Sequence, residues 1–162
     1  MDENEKRLLR QIDAVVKRSH EGILRDMKTL VDIKSVQGEP APGAPFGTGP
    51  KRALEAALEI ASGMGLSTRN CEGYVGYADL PEVSGCTRNP CCITLRDAFA
   101  LGPATADDKG PAVITLYAAK FFKEQGVKLP YTLRVLFGTN EETGMQDVDY
   151  YLAHYPQPAF CF

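Results

Sequence analysis

Residues 111–144 read PAVITLYAAKFFKEQGVKLPYTLRVLFGTNEETG, and the order of elements in this stretch decides the fold. Pro111 to Gln125 places Val113, Leu116, Tyr117, Lys120 and Phe121 on or beside one continuous face, which predicts a helix ended by Gly126. Thr132 to Phe137 is a mostly apolar run before Gly138, the pattern of a strand covered on both faces. Asp147 to Tyr155 then predicts a short helix stopped by Pro156 and Pro158. Helix, strand and helix in this order point to an α/β fold with helices packed on a mostly parallel sheet.

Upstream, Leu8, Leu9, Ile12, Val15, Val16, Ile23, Leu24, Met27, Leu30 and Val31 form one apolar stripe. They predict a long helix, or two helices broken near Ser19-His20. Lys34 to Pro50 is rich in Pro and Gly and reads as an extended loop. A helix follows from about Lys51 to Ser62, with Leu54, Ala57, Leu58 and Ala61 on one face and Gly63 and Gly65 placed to end it. Thr68 to Asp79 reads as a β-hairpin turning at Glu72-Gly73. Leu80 to Cys91 shows no periodicity, Cys92 to Leu101 suggests a short hairpin turning at Arg96-Asp97, and Ala159 to Phe162 suggests a strand.

Composition narrows the function classes. The chain has 162 residues, 44% hydrophobic and 24% charged, values of a globular domain with one ordinary core. A formal net charge of −3, with Lys and Arg scattered, gives no electrostatic reason to expect nucleic acid or an anionic membrane as partner. The apolar stretches are far shorter than the roughly 20 residues a membrane span needs, and the acidic start at Met1 to Lys6 is no signal peptide. A cytoplasmic protein is the expectation. Cys71, Cys86, Cys91, Cys92 and Cys161 are an odd set without C-x-x-C spacing, which favours reduced thiols over a disulfide framework. Cys86, Cys91 and Cys92 also admit a small Cys-based metal site, against which stand their irregular spacing and the lack of a nearby His.

Two polar clusters sit at element boundaries, where open α/β sheets bind ligands. Thr105-Ala106-Asp107-Asp108-Lys109-Gly110 precedes the central helix, and Thr139-Asn140-Glu141-Glu142-Thr143-Gly144 follows the apolar strand. Carboxylates there suit divalent cations, and an adjacent Glu could act as a base. Blander readings also fit: Asp107 or Asp108 as a helix cap, and Glu141-Glu142 as an ordinary charged loop. His20 and His154 read as surface or partly packed residues.

Taken together, Ala106-Asp107-Asp108-Lys109-Gly110-Pro111 and Phe137-Gly138-Thr139-Asn140-Glu141-Glu142-Thr143-Gly144 resemble the aminoacylase/carboxypeptidase-G metallopeptidase superfamily, in its Sapep/PepV dipeptidase branch. Pro45-Phe46-Gly47-Thr48-Gly49-Pro50 and Asp149-Tyr150-Tyr151-Leu152 agree with that branch. The resemblance implies a hydrolase of dipeptides that uses two divalent metal ions, Zn or Mn. It makes Asp107 the bridging metal ligand, Glu142 a ligand to one ion, and Glu141 the general base that deprotonates a water activated by the metals.

The chain departs from that pattern. The family's His-x-Asp motif, on a central strand before the Asp-Asp-Lys-Gly segment, has no counterpart, because no His lies between His20 and His154. Gly102-Pro103-Ala104 stands where the family carries Gly-Arg-Gly. The resemblance therefore implies that residues 1–162 are an incomplete N-terminal part of the catalytic domain, with the His-x-Asp strand missing and the lid domain and C-terminal part absent. Such a piece is expected to be inactive alone, since two carboxylate ligands without imidazole leave the metal shells open. The alternatives are a non-catalytic binding or regulatory module that pairs with a full-length relative through a sheet edge, and the small Cys-based metal protein.

Overall fold

The structure, a computed structural model, describes residues 1–80, the backbone of 91–92, and residues 108–159. The first helix, α1 (Glu3–Val31), runs unbroken through Ser19-His20. A capping box starts it: the Asp2 carboxylate accepts from Glu5 N–H at 2.8 Å and the Glu5 carboxylate accepts from Asp2 N–H at 2.7 Å. Only its later part joins the body. Leu30 and Asp26 are buried, whereas Leu8, Leu9, Ile12 and Val16 stay exposed.

Helix α2 (Thr48–Gly63) begins three residues earlier than its sequence pattern suggests. Gly47 is its cap residue and Pro50 lies in the first turn, where a missing N–H leaves no bond unmade. Leu54, Ala57, Leu58 and Ala61 are buried as expected, and Gly65 at φ +74° closes the end. The hairpin β1 (Ser67–Cys71) and β2 (Val75–Asp79) turns at Glu72-Gly73, both with positive φ, a geometry that suits the twist of two-residue hairpins. Asn70 Oδ1 accepts from Gly73 N–H at 2.8 Å and secures the turn.

Strand β3 (Cys91–Cys92), helix α3 (Gly110–Glu124), strand β4 (Leu133–Gly138) and helix α4 (Gln146–His154) complete the described elements. The strand order is β1-β2-β4-β3. The α/β class holds, but the pairing departs from a mostly parallel sheet. Among the described residues, β1/β2 and β2/β4 are antiparallel, and only the short β3/β4 pair is parallel. A tight turn forces its two strands antiparallel, and β4 then returns alongside β2 in the opposite sense. The suggested hairpin at Arg96-Asp97 and the strand from Ala159 fall outside, or almost outside, the described residues.

Alternation along the strands divides the packing into two faces. Leu133, Val135 and Phe137 of β4 and Ala78 of β2 meet Leu54 and Leu58 of α2 and Val113 and Leu116 of α3. Val113, Leu116 and Val135 are at most 2% exposed, and burial of each such side chain contributes roughly 1.5–3 kcal/mol. On the opposite face, Val75, Tyr77 and Cys71 pack with Tyr151 of α4, and Leu136 lies against them. Among the described residues, one short helix, α4, packs on this second face. Arg134 bridges it, with its guanidinium forked onto Asp79 at 2.7 Å twice and 3.5 Å over the Tyr77 ring.

Candidate active site at the Glu141-Glu142 turn

β4 delivers the chain at Gly138 into a tight turn, whose residues Glu141–Thr143 form a single 3-10 turn. The Glu141 and Glu142 side chains are exposed, while the residues around them are locked. Asn140 is 4% exposed and Asp147 is fully buried. Asp147 Oδ2 accepts from Thr139 N–H at 2.6 Å and from Asn140 N–H at 2.9 Å. Asn140 Oδ1 accepts from Gln146 N–H at 3.1 Å, and its amide donates to Thr143 Oγ1. Thr139 Oγ1 donates to the Tyr74 carbonyl across the sheet. Two exposed acidic side chains thus project from a turn whose flanking backbone at Thr139, Asn140 and Gln146 is bonded to the Asp147 and Asn140 side chains, the arrangement wanted for carboxylates that must meet a ligand without rearranging.

The other motif is described from Asp108 onward; Asp107 lies outside the described residues. Asp108 is exposed, and the cap position of α3 is Lys109, which makes no side-chain cap bond. Lys109 reaches the segment just after α1 and donates from Nζ to the Ile33 carbonyl at 2.7 Å. Its half-burial pulls the ammonium pKa below the ordinary value, with Asp108 acting in the opposite sense.

Ile33 belongs to the same short segment as Gln37, whose Oε1 accepts from Asn140 Nδ2 at 3.3 Å. The two motifs are thereby tied to anchor points four residues apart, a span of at most about 14 Å of chain. Lys109 at the start of α3 and Asn140 beside the Glu141-Glu142 turn thus both bond to the segment that follows α1. A groove of about 460 Å³ borders this segment at Val36 and Gln37 and is flanked by Lys34 and Arg52. Of the described motif carboxylates, none lines it.

The described residues do not make up a metal centre by themselves. Among them no group of three or more His, Cys, Asp or Glu stands close enough to hold an ion. His20 is exposed on α1. His154 is exposed on α4, where Nδ1 meets the Tyr150 carbonyl at 2.8 Å and the ring stacks on Tyr150. Both agree with the surface reading of these histidines. Cys71 is a free, buried thiol whose pKa is raised by burial. Cys86 lies outside the described residues, as do the side chains of Cys91 and Cys92. Asp147, Asn140, Lys109 and Gln37 carry no signal in periodicity, and their role at the turn emerges only from long-range hydrogen bonds.

Residues 80–161 match the family model described as Peptidase family M20/M25/M40. The putative dipeptidase YtjP of Bacillus subtilis (strain 168) is 29% identical over 163 residues, covering 90% of this chain and 35% of that protein. The Beta-Ala-Xaa dipeptidase of Lactobacillus delbrueckii subsp. lactis is 31% identical over 161 residues, covering 88% and 34%. The chain thus spans about a third of the length of the curated relatives it matches. Human carnosine dipeptidase 1 superposes with a TM-score of 0.59 at 19% identity over 85% of this chain and 36% of that one, a likeness of fold. Among the described residues, no helix is long and apolar enough to cross a membrane.

Proposed function

The chain belongs to Peptidase family M20/M25/M40, and from that premise we propose that residues 1–162 are an N-terminal part of the catalytic domain of a metal-dependent, cytoplasmic dipeptidase. Glu141 is its general base, Asp107 and Glu142 are its metal ligands, and Zn or Mn is the metal. The observation that carries this reading is the pair of exposed carboxylates on a turn fixed by Asp147 and Asn140. The names of the two dipeptidase relatives support the substrate class. The divalent ions of this reading supply Lewis acidity. The residues of this chain supply a base and carboxylate donors, and among the described residues no group of three or more His, Cys, Asp or Glu could hold an ion.

That donor set leads to a second part of the proposal: this chain alone does not turn over dipeptides. Catalytic zinc sites use about three protein ligands per ion, and Asp107 and Glu142 cannot complete two such shells. A dipeptide panel incubated with the purified chain and added Mn²⁺ or Zn²⁺ tests the statement. No hydrolysis above buffer is expected. Hydrolysis that disappears in Glu141→Ala would overturn the inactivity and at the same time establish the base.

A further inference from the structure

Resting on the assignment of Glu141 and Glu142, we propose that Asp147 is their positioning residue. Its buried carboxylate staples the neck of the turn from which the base and the ligand project. Asp147 stands in the first turn of α4, where an acid is ordinarily explained by the helix's own unsatisfied N–H groups. Its contacts say otherwise. Oδ1 meets its neighbour Val148 N–H at 2.9 Å, but Oδ2 reaches out of the helix to two consecutive amides, Thr139 and Asn140. These are the two residues that immediately precede Glu141.

Burying a carboxylate completely is costly unless hydrogen bonds satisfy it, and an exposed acid at the same position would serve α4 equally well. Full burial at 0% exposure therefore points to the turn as the beneficiary. The strand side is shaped to match. A Cβ on Gly138 would come within 2.5 Å of Asp147 Oδ2, so the carboxylate occupies the space that any side chain there would fill. Asn140 closes the other side of the neck through Gln146 N–H. The turn is held from both of its ends while its two acidic side chains are exposed.

The test uses the full 162-residue chain and four proteins: wild type, Asp147→Asn, Gly138→Ala, and Tyr151→Phe as a control. Tyr151 is buried in the same helix, and its hydroxyl accepts from Arg134 and contacts the Pro156 carbonyl, so its loss weakens α4 without touching the turn. NMR reads amide exchange at Thr139 and Asn140 and the fast-timescale order of the Glu141 and Glu142 amides. Asp147→Asn and Gly138→Ala are expected to speed exchange at Thr139 and Asn140 about tenfold or more, the factor for losing a charge-assisted hydrogen bond. Order at Glu141 and Glu142 should fall from a rigid value of about 0.85 to below about 0.6.

Tyr151→Phe should leave both readouts at the turn unchanged. If Asp147→Asn fails to fold, Gly138→Ala, which displaces the same oxygen from the strand side, decides. Unchanged order at Glu141 and Glu142 in the folded variants, or equal loosening in Tyr151→Phe, would overturn the positioning role. Mn²⁺ added to the wild type as a paramagnetic probe separates the two assignments. Selective broadening at Glu141 and Glu142 supports the metal-ligand reading, and its absence counts against that reading alone.

Discussion

The fork between Arg134 and Asp79 offers the sharpest test of how the turn is carried by the sheet. Both side chains are largely withdrawn from water, at 11% and 19% exposure, and paired by two 2.7 Å bonds across the β2/β4 register. Burial works against the Arg134 charge, and the Asp79 carboxylate and Tyr151 hydroxyl more than offset it, so the guanidinium pKa is raised. Asp79→Ala leaves that cation with the Tyr151 hydroxyl at 2.8 Å and the Tyr77 ring. Breaking a buried pair from one side costs about 3–5 kcal/mol, and the residual exposure here favours the lower end, about 3 kcal/mol. Against a total stability of about 5–15 kcal/mol this is a large fraction. With a urea m-value of about 2 kcal/mol/M, the midpoint should fall by about 1.5 M.

Urea unfolding followed by circular dichroism measures the midpoint directly. The double variant Asp79→Ala with Arg134→Met should recover at least half of the loss, because no unpaired charge is then buried. A midpoint shift below about 0.3 M for Asp79→Ala, set against the m-value range above, would refute the reasoning. So would a double variant as unstable as the sum of the single ones. Either result would mean that Asp79 and Arg134 do not face each other in the folded chain, and with them would go the register that sets where β4 ends and the turn begins.

Other expected outcomes follow from the same contacts. Leu116→Ala, at a fully buried position of α3, should lower stability by about 2–5 kcal/mol in the same urea assay. Glu141→Gln should leave the stability within about 0.5 kcal/mol of wild type, since its side chain is exposed. At high pH the Tyr117 phenol, pushed by burial and by its bond to Asp26 from 10.0 up to about 12, favours the folded state only while protonated. Its folded pKa lies above the unfolded value, so its contribution is complete below pH 10.0 and is lost as pH rises toward about 12. Tyrosinate absorbance recorded alongside circular dichroism should show the chain losing stability across that window, less steeply in Tyr117→Phe.

Local chemistry made much of this fold readable. The faces of α2 and α3, the apolar stripe of α1 and the Glu72-Gly73 turn are written in periodicity and in a glycine suited to positive φ, while the continuity of α1 through Ser19-His20 is not. The start of α2 is hidden because Gly47-Thr48-Gly49-Pro50 looks like loop, although a proline is welcome in a first helical turn. Strand direction was not readable, since the apolar run at Leu133 to Phe137 says that the strand is covered and nothing about which neighbour pairs with it. At the site, the motif carboxylates Glu141 and Glu142 stood out as charges at a strand end. Their supports did not. Asp147 resembles any acid at a helix start, and its partners lie seven and eight residues back, in a different element. Lys109 was visible inside its motif, but its bond to Ile33 spans 76 residues.

Metal stoichiometry bears most directly on the central claim, that the carboxylates of this chain form part of a metallodipeptidase centre without completing it. Equilibrium dialysis of the purified chain against micromolar Mn²⁺ or Zn²⁺, followed by elemental analysis, should find well under one ion per chain, with any Mn²⁺ bound at higher concentration lost in Glu142→Gln. Two ions held per chain at micromolar free metal would contradict it.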